Sequence, residues 1–338
     1  MRDGPNGETA PAEGEQPTSN PSVWVAVWKS PRQGMQIHGI DTTVSSQVAT
    51  VCWDGSCDVF ELEPHARGFM RSWKQPARPS SGLYAVSFGL KGEKRILATA
   101  CMDSLCHLLS GEDGRLLQSL KGHTGEVNSL NFQRDVSGGL TNRLVSGSDD
   151  MTCVVWDVER GLPVQTLAGE HEEAVYGVKF HKQDACLVAS VAFDRMGFLW
   201  DLRQKSAALR LEGHRDDVIG LDFSPCGKFL ATGSDDSTCR LWDLRRTFTT
   251  VDELQHAMEV KRIAWSPCGR WLAAGSSDCT AYVWNTERMP CTLEGKLEGH
   301  TAQIFDVAWL PSSLGWASLV TASHDHHWIA WGPSLDDV

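Results

Sequence analysis

The sequence predicts an all-β protein, a seven-bladed β-propeller of four-stranded antiparallel blades, and three observations lead there. A short pattern recurs seven times along the 338 residues. Its period lies in the forties, which marks a radially repeated fold. Each repeat holds four short, alternating strand-like stretches separated by turn residues.

The pattern is clearest in "SGSDDMTCVVWD" (146–157), "TGSDDSTCRLWD" (232–243) and "AGSSDCTAYVWN" (274–285). Weaker copies are "SVAFDRMGFLWD" (190–201) and "TASHDHHWIAWG" (321–332), and the most divergent are "TVCWDGSCDVFE" (50–61) and "TACMDSLCHLLS" (99–110). An Asp stands six positions before a large apolar residue in all seven: Asp54, Asp103, Asp150, Asp194, Asp236, Asp278 and Asp325 precede Phe60, Leu109, Trp156, Trp200, Trp242, Trp284 and Trp331. The second series is spaced by 49, 47, 44, 42, 42 and 47 residues. Upstream, His123, His171, His214, His256 and His300 stand four residues before Val127, Val175, Val218, Val260 and Ile304. An alternating strand such as "VIGLDF" or "VKRIAW" follows, then a loop such as "SPCGK", a second strand, the Asp turn and a third strand ending in the apolar residue. A shorter fourth strand ("LLQSL", "PVQTL", "ALRL") leads into the next unit.

The last unit ends at Trp331 with no fourth strand after it, and an open edge invites mispairing. The run 22–29, "SVWVAVWK", is a strand without a unit, so it is expected to pair with the third strand of unit seven and close the ring. The expected organisation is a flexible tail over 1–21, a propeller over 22–332 and a C-terminal tail over 333–338.

Composition narrows the function. The 31 Lys+Arg against 43 Asp+Glu give a net charge of −12 without a basic patch, which argues against nucleic acid as a partner. The start shows no secretory leader, the apolar runs are too short for a bilayer, and the chain carries 11 cysteines. A soluble, intracellular and thiol-reducing setting is expected, cytoplasmic first, with no direct membrane insertion. Cys57, Cys106, Cys153 and Cys239 each lie three residues before the apolar partner, where Gly197 and Ala281 stand in other units, so they read as small buried hydrophobes. The Cys pairs of "CWDGSC" and "CMDSLCH" lack zinc-ligand spacing, and in "HDHH" (324–327) Asp325 is the turn Asp, so no metal is expected. No phosphate loop or nucleophile elbow occurs, and no catalytic residue or cofactor is expected.

Gly122-His123, Gly213-His214 and Gly299-His300, with Trp156-Asp157, Trp200-Asp201 and Trp242-Asp243, make the chain resemble the WD-repeat family over about residues 23–332. Units three to five are most similar to the β subunit of heterotrimeric G proteins, as in "ATGSDDSTCRLWDLR" (231–245), although the Pro/Gly-rich start is not expected to form that subunit's N-terminal helix. The resemblance implies a structural hydrogen-bonded tetrad in a blade: the His, a second-strand hydroxyl, the turn Asp and the Trp. The sets are His123, Ser148 (or Ser146), Asp150 and Trp156; His214, Ser234, Asp236 and Trp242; His256, Ser276, Asp278 and Trp284; and His300, Ser323, Asp325 and Trp331. Unit four has Ala192 at the hydroxyl position with Ser190 as substitute, and units one and two lack both His and Trp.

A propeller without chemistry displays surfaces, so the expected function is a non-catalytic scaffold or subunit of a multiprotein assembly that binds other proteins. The alternatives are a substrate receptor of a cullin-type ubiquitin ligase, through Arg203 and Arg245 of two "WDLR" motifs, and a G-protein-β-like signalling adaptor. A peptide-mark reader with an aromatic cage is a further reading. In the resembled family, the residue after the first-strand Val and the one before the turn Asp look out around the channel on the narrow face. Here these include Phe305, His324, His38, Trp53, Tyr84 and Met102 in units seven, one and two, with Tyr176 and Phe193 in unit four. Asp149 and Asp235 occupy the same kind of position in an acidic sector flanked by Glu126, Asp217 and Glu259. A partner segment is expected to lay its apolar part over the aromatics and its basic part toward these acids.

Overall fold

The turn Asp makes each hairpin. The residue after it takes a positive φ of 64–76° in every repeat, at Gly55, Ser104, Met151, Arg195, Ser237, Cys279 and His326. In repeat three the Met151 N–H returns to the Ser148 carbonyl at 3.1 Å, which gives a turn followed by a left-handed residue, a common hairpin connection. The carboxylate holds the turn from inside. Asp150 Oδ1 accepts the Thr152 N–H at 3.0 Å, and Asp236 and Asp325 accept the corresponding N–H groups of Thr238 and His327 at 2.9 Å. That explains an Asp rather than a glycine at this position: the short side chain caps its own turn.

The computed structural model describes residues 24–43, 45–62, 68–75, 82–134, 139–204, 207–245, 250–311 and 318–333. Among them 28 strands form seven antiparallel sheets of four. Six sheets run in chain order, with first strands Ile37–Thr42, Leu83–Lys91, Val127–Arg134, Val175–Phe180, Val218–Phe223 and Val260–Trp265. The seventh joins Ile304–Trp309, Leu319–Ser323 and Trp328–Pro333 to Trp24–Lys29 from the other end of the chain. Each first strand lies beside the first strands of its two neighbours, that of blade seven beside that of blade one, so together they enclose a central channel.

The closing strand is antiparallel to Trp328–Pro333, with Trp24 opposite Pro333 and Lys29 opposite Ile329. Just beyond it, Ser30 donates its N–H to the Trp328 carbonyl at 2.9 Å and accepts the Trp328 N–H on its hydroxyl at 3.0 Å. Trp28 packs its ring 4.6 Å from Trp328 and 5.5 Å from Phe69, so the joint reaches into blade one. The expected tail 1–21, residues 22 and 23 of the expected strand, and 334–338 lie outside the described residues, while Pro333 belongs to the third strand of blade seven.

The core sits between adjacent blades. Val145, Cys153 and Val155 of blade three pack with Val175, Val178 and Trp200 of blade four, and the pattern repeats around the ring. Trp156, Trp200, Trp242 and Trp331 are 2% exposed or less. Burying a large apolar side chain is worth roughly 1.5–3 kcal/mol, so these indoles are leading contributors to stability. Cys57, Cys106, Cys153 and Cys239 are fully buried free thiols, and burial pushes those of Cys106 and Cys153 up to about 12. Among the described residues no helix is long and apolar enough to cross a membrane.

Candidate functional site

Two kinds of polar constellation recur, one inside the blades and one around the channel mouth. Inside blade three, His123 Nδ1 lies 2.8 Å from Asp150 Oδ2, and its Nε2 lies 2.8 Å from the Ser146 hydroxyl. That hydroxyl also accepts the Trp156 indole N–H at 2.8 Å. Asp150 Oδ2 receives the Thr124 backbone N–H as well, at 2.9 Å. The same chain runs through His171, Asp194, Ser190 and Trp200; through His214, Asp236, Thr232 and Trp242; and through His300, Asp325, Thr321 and Trp331.

The hydroxyl therefore stands two residues earlier than Ser148, Ser234 and Ser323. Those serines accept the turn Asp N–H instead, at 3.2, 3.1 and 3.1 Å. Both positions share one face of the strand. Anchored at the turn by Nδ1, the imidazole carries its Nε2 one pleat deeper, where Ser146 waits. Blade six departs further. Ser276 accepts the Asp278 N–H at 3.4 Å, and the deeper position is Ala274, fully buried. Here Tyr282 donates its hydroxyl to Asp278 at 2.5 Å, while His256 turns to the Leu254 carbonyl and meets the Trp284 N–H at 3.3 Å. Blade two has a substitute that sequence reading missed: His107, on the third strand, bonds Asp103 at 2.8 Å and Ser119 at 2.9 Å. Cys101 lies close enough to complete a three-ligand group with that pair, within 4.8 Å, but both ring nitrogens of His107 are already engaged.

Burial raises the Asp150, Asp236 and Asp325 carboxyls, but the bonds from His and backbone N–H groups outweigh it and hold them well below the ordinary aspartate range. The ring nitrogens, the hydroxyl and the carboxylate are thus engaged with one another inside the blade.

The channel mouth where the first strands begin is built by a second repeated device. Each first strand carries a bulge after its first residue, at His38, Tyr84, Asn128, Tyr176, Ile219, Lys261 and Phe305. A bulge re-aims a side chain, here toward the mouth. The residue before each turn Asp is tied to the same rim. Trp53 donates its N–H to the Gln36 carbonyl at 3.1 Å, Met102 to Gly82, Asp149 to Glu126, Phe193 to Ala174, Asp235 to Asp217, Ser277 to Glu259 and His324 to Gln303. Two rings of side chains thus face one mouth.

Blades seven, one and two fill their sector with rings in contact. His38 lies 5.0 Å from Trp53, 5.9 Å from Tyr84, 4.5 Å from Phe305 and 4.6 Å from His324. Trp53 meets Tyr84 edge-on at 5.6 Å, and Phe305 stacks on His324 at 4.9 Å. Trp53 remains 38% exposed while His38 is buried. Met102 borders them, its Sδ over Gly82, where a Cβ would sit 2.7 Å away. Tyr176 and Phe193 stack separately at 4.0 Å. Tyr84 donates to Glu126 at 2.7 Å, linking the aromatic to the acidic sector. In that sector Asp149 is exposed and accepts from Asn128 at 2.7 Å. Asp235 is paired with Lys261 at 2.8 Å, so the sector is less acidic than sequence reading suggested. Burial, with His324 and Arg262 nearby, lowers His38 to about 3 and keeps it neutral. His38 Nδ1, His324 Nε2 and Glu259 Oε2 are buried with no hydrogen-bond partner among the described residues.

Such repeats have known counterparts. The family described as WD domain, G-beta repeat matches residues 114–157, 161–201, 206–243, 248–285 and 291–331, more than half of the chain. The chain is a WD-repeat protein. It is 34% identical over 168 residues to a guanine nucleotide-binding protein subunit beta of Zea mays, covering 46% of this chain and 43% of that one. It is 32% identical over 174 residues to subunit beta-1 of Nicotiana tabacum, covering 48% and 45%. These alignments span less than half the length of either partner. The solved WD40 beta propeller domain of Doa1 superposes with a TM-score of 0.77 over 93% of this chain and 98% of that one, and at 19% identity the likeness concerns the fold alone.

In this WD-repeat protein the two "WDLR" arginines fold back on their own motif. Arg203 grips Asp201 through Nε at 2.7 Å and NH2 at 2.9 Å, and Arg245 grips Asp243 at 3.0 and 2.8 Å. The Arg245 guanidinium also lies 5.3 Å over the Phe229 ring. Both forks are engaged, although both side chains stay more than half exposed, at 60% and 52%.

Proposed function

We propose that this propeller is a scaffold that holds an extended segment of a partner protein across the mouth where its first strands begin. The apolar part of the segment lies over Trp53, Tyr84 and Phe305, and its basic part lies toward Asp149. One observation carries the reading: a cluster of five contacting rings stays partly open to solvent at the channel mouth. Clustered exposed aromatics are typical interface anchors. Affinity isolation from the native source, followed by titration of the recovered partner, tests it. Trp53→Ala and Phe305→Ala should each weaken binding by about 2 kcal/mol, close to thirtyfold. Unchanged affinity in both variants would place the partner on another surface.

A second reading, a Gβ-like signalling adaptor, is favoured by the 32–34% identity to G-protein β subunits across the middle of the chain.

A further inference from the structure

The opposite channel mouth, where the first strands end, has a different chemistry. A cavity of about 540 Å³ opens there, with Phe180, Trp265 and Trp309 in its walls. Its carboxylates are engaged in the fold. Asp41 accepts the N–H groups of Thr42 and Phe88, both at 2.8 Å, and so ties blade one to blade two. Asp306 accepts those of Ile40 and Val307, both at 2.9 Å, and ties blade seven to blade one. Asp222 accepts the Trp265 N–H at 2.8 Å, which ties blade five to blade six.

The cations lining the same cavity are less well matched. Lys182 donates to Asp222 at 2.9 Å. Arg134 reaches the Thr42 carbonyl at 3.3 Å, with Asp41 no closer than 3.9 Å. Lys179, only partly exposed, makes no close hydrogen bond or ion pair among the described residues, although it is near enough to Asp306 to favour that carboxylate's charged form. Lys179 and Arg134 both stand close enough to Lys182 to act on it: burial lowers Lys182 first, Asp222 raises it, and Lys179 and Arg134 lower it a little further. In a chain of net charge −12, four cations, Arg134, Lys179, Lys182 and Arg262, thus line one confined cavity against three carboxylates, Asp41, Asp222 and Asp306. Like charges in a partly enclosed space repel strongly, and an anion removes that repulsion.

We propose that this cavity binds a small molecule carrying more than one phosphate group. A phosphate brings about −1.5 to −2 charge and three strong acceptor oxygens, enough to engage Lys179, Lys182 and the Arg134 fork together. A single carboxylate brings one charge and two oxygens. The volume falls in the roughly 300–1,000 Å³ range of small-molecule sites, and the ring of first strands confines the occupant.

Calorimetric titration of the full chain with sodium tripolyphosphate in phosphate-free buffer tests this. One saturable site is expected, weakening as salt rises. Lys179→Met should cost at least about tenfold in affinity, the scale of one charge-assisted hydrogen bond, while Lys179→Arg stays within about threefold. Arg115→Ala, at a remote and exposed cation, should bind like wild type. Melting curves establish that each variant is folded, and Arg134→Gln, nearer the rim, carries the same expectation if Lys179→Met does not fold. The proposal fails if folded wild-type protein takes up no tripolyphosphate saturably, if the charge-removing variant binds as tightly as wild type, or if only a poly-glutamate peptide saturates the site.

Discussion

The Ser146 hydroxyl serves two donors or acceptors at once, His123 Nε2 and the Trp156 indole, and it is fully buried. Ser148, two residues on, is equally buried but serves a turn N–H that Asp150 holds in place by other bonds. Ser146→Ala leaves two buried polar groups unpaired and should cost about 2–4 kcal/mol, whereas Ser148→Ala should cost about 1. Denaturant midpoints of the two variants measure the difference, and equal losses would mean that the chain of bonds does not matter. The sequence could not separate these serines. Both are small hydroxyls on one face of one strand, and only the reach of the imidazole selects the deeper. Blade six was harder still, because Ala274 removes the hydroxyl and Tyr282 supplies another from across the hairpin. The turn aspartates were legible, because every one faces the same local problem and solves it in the same way.

At the level of the strand, closure depends on Trp24–Lys29, the element whose place was read from a missing fourth strand in the last repeat. Its half-buried Trp28 meets Phe60 and Phe69 edge-on and lies tilted against Trp328, so blades seven and one share one apolar joint. Trp28→Ala should lower unfolding stability by about 2–3 kcal/mol, somewhat below the full cost of truncating a core Trp. It should also raise aggregation by freeing the edge of Trp328–Pro333. A thermal unfolding curve that overlays wild type would show that the ring does not rely on this joint. The first-strand bulges were illegible by comparison. No residue type marks them, since His38, Asn128, Ile219 and Phe305 all occupy the bulged position. Their regularity comes from the backbone having to turn at the channel rim. The positions that resemblance to the family placed on the narrow face coincide with these bulges in blades one, two, four and seven. Lys261, at the bulge of blade six, supplies the cation that neutralises Asp235.

Across the whole molecule, the two channel mouths divide the polar and aromatic side chains not used by the blades. One gathers rings and acids, the other gathers Arg134, Lys179 and Lys182. The rings and acids were legible from fixed positions in the repeats, as the resemblance to the family implies, whereas the cations were not, because that set arises when distant repeats are brought around one axis. The outer strands offer a third surface, with Leu162 59% and Val164 55% exposed on blade three. In the proposed function a partner segment lies over the aromatic mouth rather than along such an outer edge. The most direct measurement places a photo-crosslinking benzoylphenylalanine at position 305 in one protein and at position 164 in another, then irradiates each in native extract. A discrete crosslinked partner at position 305, absent at 164, is the predicted result. A partner captured at 164 and not at 305 would contradict the account.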